Sequence, residues 1–296
     1  MNELQKIEFE MLEAFVSICE KLNLRYYLVC GSALGAVKYG GFIPWDDDVD
    51  VALPRPDYER FMNEAHKYLP EHIFVQNYRT NHNFPSLGAK LRNSNTTYVE
   101  KGHKYNAMHH GVFIDVFPLD GYSEKYTSKE EIHNAVAKYT RRRAIKMNYK
   151  RFSGANLRGI RTNIIYILNR IFGFYSDTYK YIEECEKTIS KSPVDESDVW
   201  RNYPDGTKGK EYEPKWFYGD GTVTTFEALQ VRIPESYDEY LTNRYGDWRA
   251  DLPEEQKVGH HYYEIMDLER PYTDYIEKVY DKGRRIKLRK TPKEHN

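Results

Sequence analysis

The chain has 296 residues, of which 30% are charged and 40% hydrophobic, and its formal net charge at pH 7 is −1. The length suits one large domain or a core with an inserted helical part, and the composition is that of an ordinary globular protein. No run approaches the ~18 apolar residues of a membrane-spanning helix, and the charged first residues do not resemble a signal peptide, so we expect a cytoplasmic protein. The cysteines, Cys19, Cys30 and Cys185, are widely spaced, which predicts neither a disulfide framework nor a Cys-x-x-Cys metal site.

The first predicted elements are a helix over residues 3–22, from apolar residues at helical spacing, and a strand over residues 24–30. The strand leads into Gly31 and Ser32 and then into a short helix over residues 33–39. This order presents backbone N–H groups and the positive end of a helix dipole to an anion. We therefore predict that Gly31 and Ser32 bind phosphate oxygens, although the segment lacks the Gly-Lys-Ser/Thr ending of a P-loop.

Four aspartates lie within residues 46–50, immediately before an apolar stretch. Because successive side chains of a strand point to opposite faces, we predict that Asp46, Asp48 and Asp50 share one face and that Asp47 takes the other. Carboxylate oxygens are hard ligands that suit Mg²⁺ or Mn²⁺. A solvated turn is the alternative. The pattern favours a metal-dependent phosphoryl transfer site.

A second hydrophobic strand, predicted over residues 111–118, is interrupted by one acid, Asp115. Burying a lone carboxylate is costly unless it is paired or binds a metal ion. We therefore predict that Asp115 joins Asp48 and Asp50 as a metal ligand.

Between these acidic segments the sequence predicts a helix over residues 56–69 and a basic strand over residues 87–92. Pro56 suits the first turn of the helix. Alternation in the strand places Lys90 and Arg92 on one face. A solvated edge strand and a contact with substrate phosphate explain these two cations equally well.

Residues 132–176 contain ten Lys or Arg and no Asp or Glu. The apolar residues between them predict two amphipathic helices with a break near Ser153 and Gly154. A basic helix covering the core, nucleic-acid binding, and docking to an anionic membrane face or acceptor are three interpretations. No nucleic-acid motif accompanies the segment, so we predict no nucleic-acid partner.

The C-terminal third begins with residues 191–222, which are polar and turn-rich and predict a long loop or lid. This segment carries many aromatic residues, among them Trp200, Trp216 and Tyr218. Aromatic faces hold quaternary ammonium groups by cation–π attraction, although packing against the core explains any single ring more simply. A helix is predicted over residues 234–245.

Several of these segments resemble a known family. The order of strand, Gly-Ser, helix, Asp-x-Asp strand and later acid resembles the nucleotidyltransferase fold of polymerase-β type. Residues 31–50, 113–120 and 245–248 more narrowly resemble the LicD phosphocholine transferase family, whose relatives include fukutin-type ribitol-phosphate transferases. The resemblance is dense over residues 20–120 and looser over residues 216–263.

The resemblance implies an α+β fold, with a nucleotidyltransferase core sheet, flanking helices and an additional helical region. We predict a catalytic core over residues 1–125 and a basic helical region over residues 126–190. Residues 191–296 would supply a lid and complete the donor and acceptor cleft.

The implied activity is Mg²⁺- or Mn²⁺-dependent transfer of a phosphoalcohol, phosphocholine first, from a CDP-linked donor. The implied acceptor is a sugar hydroxyl of a cell-surface glycan, such as lipopolysaccharide or capsule, or of a teichoic-acid precursor. Because such acceptors are often lipid-linked at the inner membrane face, the basic segment is predicted to contact anionic lipid. Transfer from CDP-ribitol, CDP-glycerol or CDP-ethanolamine, an NTP-using nucleotidyltransferase, and a non-catalytic binding module are the alternatives.

The predicted site follows from the motifs and the resemblance together. Asp48, Asp50 and Asp115 are predicted to be catalytic and, with Asp46, to hold the metal ion. The residues predicted to contact the donor are Gly31, Ser32, Lys90, Arg92 and His260. His261 is the other histidine of this pair that could lie near the nucleotide, and a solvent-facing side chain is the alternative for either.

Overall fold

The computed structural model describes most of the chain, namely residues 1–146, 178–203, 212–259, 261–280 and 284–294 and the single positions 160, 164, 167 and 168. Within these residues there are six α-helices, which are α1 (Glu3–Lys21), α2 (Cys30–Tyr39), α3 (Arg55–Glu64), α4 (Lys129–Lys146), α5 (Tyr179–Ile189) and α6 (Tyr237–Tyr245). With the strands described next, they make a mixed α+β fold, as predicted.

Seven strands form the main sheet, which are β1 (Tyr27–Leu28), β2 (Asp50–Pro54), β3 (Ile73–Gln76), β4 (Ala89–Asn93), β6 (Phe113–Tyr122), β7 (Val199–Arg201) and β8 (Tyr212–Pro214). The strand order is β1-β2-β6-β4-β3, and β7 pairs with both β6 and β8. The pair β2 and β6 is parallel, whereas the other pairs in this sheet are antiparallel. Parallel pairing brings the equivalent ends of β2 and β6 together.

Three two-stranded sheets complete the described strands, which are β5 (Thr97–Glu100) with β11 (Tyr263–Asp267), β9 (Thr222–Phe226) with β10 (Leu229–Ile233), and β12 (Ile276–Tyr280) with β13 (Arg285–Leu288). Each pair is antiparallel. The pair of β5 and β11 joins residues far apart in the chain, for example Val99 and Ile265. It therefore brings the C-terminal part of the chain to the main sheet.

Helix α1 forms because apolar residues recur at helical spacing and because its first turn is capped. The Asn2 side chain accepts from the backbone N–H of Gln5, and the Gln5 side chain accepts from the backbone N–H of Asn2, which is a capping box. Phe15 packs against Phe61 of α3 at 5.0 Å between ring centroids. The helix therefore covers one face of the sheet, and its prediction over residues 3–22 is confirmed.

A second, smaller core lies between α4 and α5, where Ile132 and Tyr139 pack with Ile182 and Ile189. The described start of the basic segment therefore covers apolar surface. The predicted break at Ser153 and Gly154 lies outside the described residues. Among the helices of the described residues, none is both long and apolar enough to cross a membrane.

Several predicted boundaries differ from the structure. Helix α2 begins at Cys30, so Gly31 and Ser32 lie in its first turn and do not precede it. The segment predicted as a long loop or lid over residues 191–222 contains β7 and β8. The predicted division into residues 1–125, 126–190 and 191–296 stays a prediction.

Candidate active site

Two neighbouring parallel strands bring two of the predicted acids side by side. Asp50 begins β2 and is in register with Asp115 of β6. The Asp115 backbone N–H donates to the Val49 carbonyl at 2.8 Å, which fixes the strand starts relative to each other. One carboxylate oxygen each of Asp48, Asp50 and Asp115 lie within 4.8 Å of one another. The structure therefore assembles the predicted acid triad.

The prediction that residues 46–50 form one strand is wrong, because β2 starts at Asp50 and residues 46–49 precede it as irregular chain. Asp46 and Asp48 therefore owe their positions to a loop and not to strand alternation. Buried Gln5 of α1 holds this loop, since its side-chain Nε2 donates to the Asp46 carbonyl at 3.1 Å. The acidic loop is anchored from the helix that covers the sheet.

Gly31 and Ser32 lie beside the acids. A Cβ atom on Gly31 would stand 2.9 Å from the Asp46 carboxylate oxygen Oδ2, so glycine permits the close approach of Asp46 to α2. The Ser32 hydroxyl accepts from the Asp50 backbone N–H at 2.8 Å and is buried. Its oxygen therefore positions β2, and the phosphate contact of Gly31 and Ser32 stays a prediction.

Lys90 and Arg92 share a face of β4, as predicted, but their surroundings differ. The Lys90 ammonium lies 3.1 Å from the Asp115 carboxylate and 3.5 Å from that of Glu100, at the edge of the acid triad. Arg92 is fully buried and donates to the Gln76 side chain, the Gly111 carbonyl and Glu100. Lys90 is thus the better placed of the two for a bound phosphate, and Arg92 holds Glu100.

Asp47, predicted to face away from the site, is instead a partner of the C-terminal segment. Its carboxylate accepts from the His261 backbone N–H at 3.1 Å and lies 3.3 Å from the ring Nδ1 of the same residue. The His261 ring is also 3.6 Å from Asp48. His260 lies outside the described residues, so the histidine that the structure places at the acids is its neighbour.

The pKa values of the site show a concentration of negative charge. Burial raises the pKa of Asp46 to about 8, and the charges of Asp48 and Asp47 add to this effect. Burial also raises the pKa of Asp48, against the opposing charge of His261. Burial lowers the pKa of His261, but the hydrogen bond to Asp47 and the charge of Asp48 outweigh it and raise the value to about 9. The acidic neighbours therefore favour the charged form of the His261 ring.

Glu8 of α1 was missed in the sequence, although an acid between the apolar residues of an amphipathic helix was the available signal. Its side chain is buried at 1% exposure, and Oε2 has no hydrogen-bond partner among the described residues. Burial raises its pKa well above the ordinary value, and the charges of Asp48 and Asp47 raise it further. Glu8 is therefore a further acid that responds to the charge of the site.

The sequence of the chain is similar to that of known proteins. Residues 23–159 match the family model described as LicD/FKTN/FKRP, nucleotidyltransferase domain. The lipopolysaccharide cholinephosphotransferase LicD of Haemophilus influenzae is 30% identical over 285 residues, which cover 90% of this chain and 98% of that protein. The chain belongs to the LicD family. The human ribitol 5-phosphate transferase FKRP, also similar to it, is 47% identical over 38 residues, or 13% of this chain and 8% of that protein.

Proposed function

We propose that this LicD-family protein transfers a phosphoalcohol from a CDP-linked donor to a sugar hydroxyl of a cell-surface glycan, and that this phosphoalcohol is phosphocholine. The observation that carries the proposal is the triad of Asp48, Asp50 and Asp115, in a chain similar along 98% of a cholinephosphotransferase. We further propose that the parallel pair β2 and β6 is the core of a nucleotidyltransferase fold and that the protein acts in the cytoplasm, at the inner membrane face.

The triad suits Mg²⁺ or Mn²⁺, because three hard carboxylate oxygens within 4.8 Å of one another can converge on one ion. Asp48, Asp50 and Asp115 would hold the ion, with Asp46 beside them. When bound, such an ion neutralises the donor pyrophosphate and the departing CMP. The raised pKa values of Asp46 and Asp48 support this assignment, since a cation would relieve the repulsion that contributes to them.

Phosphate binding and proton transfer are assigned to groups of the protein. Lys90 would neutralise a phosphate at the edge of the triad, and the backbone N–H groups of Gly31 and Ser32 would donate to it, since the Cys30 N–H donates to the Tyr240 hydroxyl. Asp50 or Asp115 accepts the proton of the attacking sugar hydroxyl at a carboxylate oxygen. The hydroxyl oxygen then bonds to phosphorus as the bond to the CMP oxygen breaks, without a covalent enzyme intermediate.

The test is a donor panel of CDP-choline, CDP-ethanolamine, CDP-ribitol, CDP-glycerol, CTP and ATP, incubated with Mg²⁺ and a lipid-linked glycan extract. We expect CMP release from CDP-choline and incorporation of phosphocholine into glycan, both lost in Asp50→Asn. CMP release from another CDP-alcohol alone would keep the reaction and change the alcohol. Pyrophosphate release from CTP or ATP, with no CMP from any CDP-alcohol, would replace the proposal with NTP-dependent nucleotidyl transfer, which the same triad can support.

A further inference from the structure

A groove of about 890 Å³ lies between β11, the hairpin of β12 and β13, and the chain around Tyr105. Backbone hydrogen bonds hold its walls together, because the Ile286 N–H donates to the Tyr105 carbonyl and the Ala107 N–H to the Arg284 carbonyl. The shape of the groove is therefore fixed by backbone hydrogen bonds. Its volume is in the range of sites that hold drug-sized ligands or short oligosaccharides.

The groove is strongly basic in a chain whose net charge is −1. Its described lining contains five cations and one carboxylate, a difference of +4, which are Lys104, Arg285, Lys287, Arg289, Lys290 and Glu264. The Lys104 ammonium is paired with Glu264 at 2.9 Å, and the Lys287 ammonium with Glu277 of β12 at 2.7 Å. The Nε of Arg289 is buried without a hydrogen-bond partner among the described residues. A lining of this kind favours an anionic ligand.

Two tyrosine rings accompany these cations. Tyr105 and Tyr280 line the groove and are 41% and 40% exposed, and the Lys104 and Lys278 ammonium groups lie over their rings at 5.4 and 5.0 Å from the centroids. Exposed aromatic faces pack against the apolar face of sugar rings, while the cations bind phosphate oxygens. A free phosphate ion does not require contact with aromatic rings, and a neutral sugar does not require five cations. The combination fits a sugar that carries a phosphate group.

The groove is linked to the acid triad through the strand pair of β5 and β11. Glu264 and Ile265 line it from β11, and β11 pairs with β5 so that Tyr263 stands opposite Glu100. Glu100 in turn contacts Lys90 at the edge of the triad. His261, which contacts Asp47, lies three residues before Glu264. A chain bound in the groove therefore lies against the strand pair that flanks the reacting groups.

We propose that this groove binds a phosphate-bearing segment of the glycan acceptor, at a distance from the hydroxyl that reacts. The acceptor role rests on the proposed function, whereas binding of a phosphorylated oligosaccharide does not. Phosphate on the glycan would then select the acceptor, with the cations supplying attraction and the tyrosines supplying sugar contact. The binding energy comes from a part of the substrate that takes no part in the chemistry.

The probe is fluorescently labelled pentamannose 6-phosphate, with the same pentamannose after removal of the phosphate as its neutral match, measured by anisotropy on the full chain. The test variant is Lys287→Gln with Lys290→Gln, both exposed. The matched control is Lys180→Gln with Lys187→Gln, two exposed lysines of α5. Melting temperatures verify that each variant is folded.

We expect the parent to bind the phosphorylated sugar more tightly than the neutral one, in a salt-sensitive manner. The groove variant should lose about tenfold in affinity for the phosphorylated sugar, as for the loss of one charge-assisted contact, and the α5 control should lose none. Tyr105→Leu should weaken both sugars. Equal affinity for the two sugars, or an unchanged groove variant, overturns the proposal. Phosphatidylglycerol vesicles or inorganic phosphate that displace the sugar equally well would assign the groove to lipid or free anion and overturn it too.

The two proposals fail separately. CMP release from the donor in water requires the donor site and not the groove, so the groove variant should retain it within about twofold while transfer to a phosphorylated acceptor falls. If the parent releases no CMP from any CDP-alcohol yet binds the phosphosugar in the groove, the proposed function is wrong and the groove assignment stands. A groove variant that loses donor cleavage as well would place these lysines in the donor site and overturn the acceptor assignment.

Discussion

Replacing Asp46 by asparagine should stabilise the metal-free protein, and increasingly so as the pH rises. Burial and the charges of Asp48 and Asp47 raise the pKa of Asp46 to about 8 in the fold, against an ordinary value of about 3.9 in the unfolded chain. Between these values the unfolded state has released a proton that the folded state retains. Stability therefore falls with rising pH through this window, and the Asp46→Asn substitution removes that contribution because an amide does not titrate.

The size of the effect follows from the linkage of one proton. A difference of one bound proton changes the free energy of unfolding by about 1.4 kcal/mol per pH unit. From about pH 5 to about pH 7, the Asp46→Asn variant should therefore gain up to about 2.7 kcal/mol over the parent. The amide side chain can still donate to Asp48, as the protonated acid does, so little packing is lost.

The quantity that reports on Asp46 is the difference in free energy of unfolding between variant and parent, because other groups also make the stability of each protein depend on pH. Burial lowers the pKa of His103 and His109 to about 3 and that of His110 to about 4. These histidines stay neutral in the fold but charge in the unfolded chain below its ordinary value, so they make stability rise with pH up to about 6.5. They are common to both proteins, and their contribution cancels when the variant is subtracted from the parent.

The assay is urea unfolding of both proteins with EDTA at about pH 5, 6 and 7, followed by far-UV circular dichroism. The difference in free energy should grow with pH in favour of Asp46→Asn. Asp195→Asn, an exposed surface acid, is the control and should show no trend. A parent-to-variant difference that is constant with pH, or a variant less stable at every pH, would show that Asp46 is an ordinary ionised carboxylate.

Three further outcomes test the site and the surface. Asp50→Asn should lower CMP release by more than about a hundredfold, and Asp47→Asn, which acts through His261, by about tenfold; equal losses would contradict these roles. Glu8→Gln should stabilise the metal-free protein at neutral pH by about 1 kcal/mol or more, because burial and the site charges raise the pKa of Glu8, so that folding must protonate this acid, and an amide does not titrate. Lower stability in urea would show a structural acid. Lys138→Gln with Arg141→Gln should weaken sedimentation with phosphatidylglycerol vesicles and leave CMP release unchanged; unaltered sedimentation would mean that the exposed cations of α4 do not contact lipid.

Local sequence patterns predicted the helices and strands whose formation depends on neighbouring residues. Apolar spacing predicted α1, and the two hydrophobic strands with acids became β2 and β6. The predicted start of the strand at residue 46 is four residues too early, because an extended loop and a strand start have the same short polar pattern. What directs Asp47 is His261, 214 residues later in the chain. No local pattern encodes a contact of that separation.

Side-chain roles within a correctly predicted element were harder to obtain. Lys90 and Arg92 were placed on one face of a strand, and they do share one. Residues of other segments determine the roles of the two cations. The Arg92 guanidinium donates to Glu100 and to the Gly111 carbonyl. The Lys90 ammonium contacts Asp115. Strand alternation fixes the face of a side chain but not what a distant strand places beside it.

The charge distribution of the site explains why these acids are held by so many elements. Lys90 contacts Asp115 and His261 contacts Asp47 and Asp48, yet burial and mutual repulsion still raise the pKa of Asp46 and Asp48. Such repulsion opposes folding, so the acids remain together because β2, β6, α1 and the C-terminal strand pair impose their positions. A divalent cation or another positive ligand would reverse the sign of this contribution. Stability of the metal-free protein and affinity for a cation should therefore change in opposite directions when one of these carboxylates is neutralised.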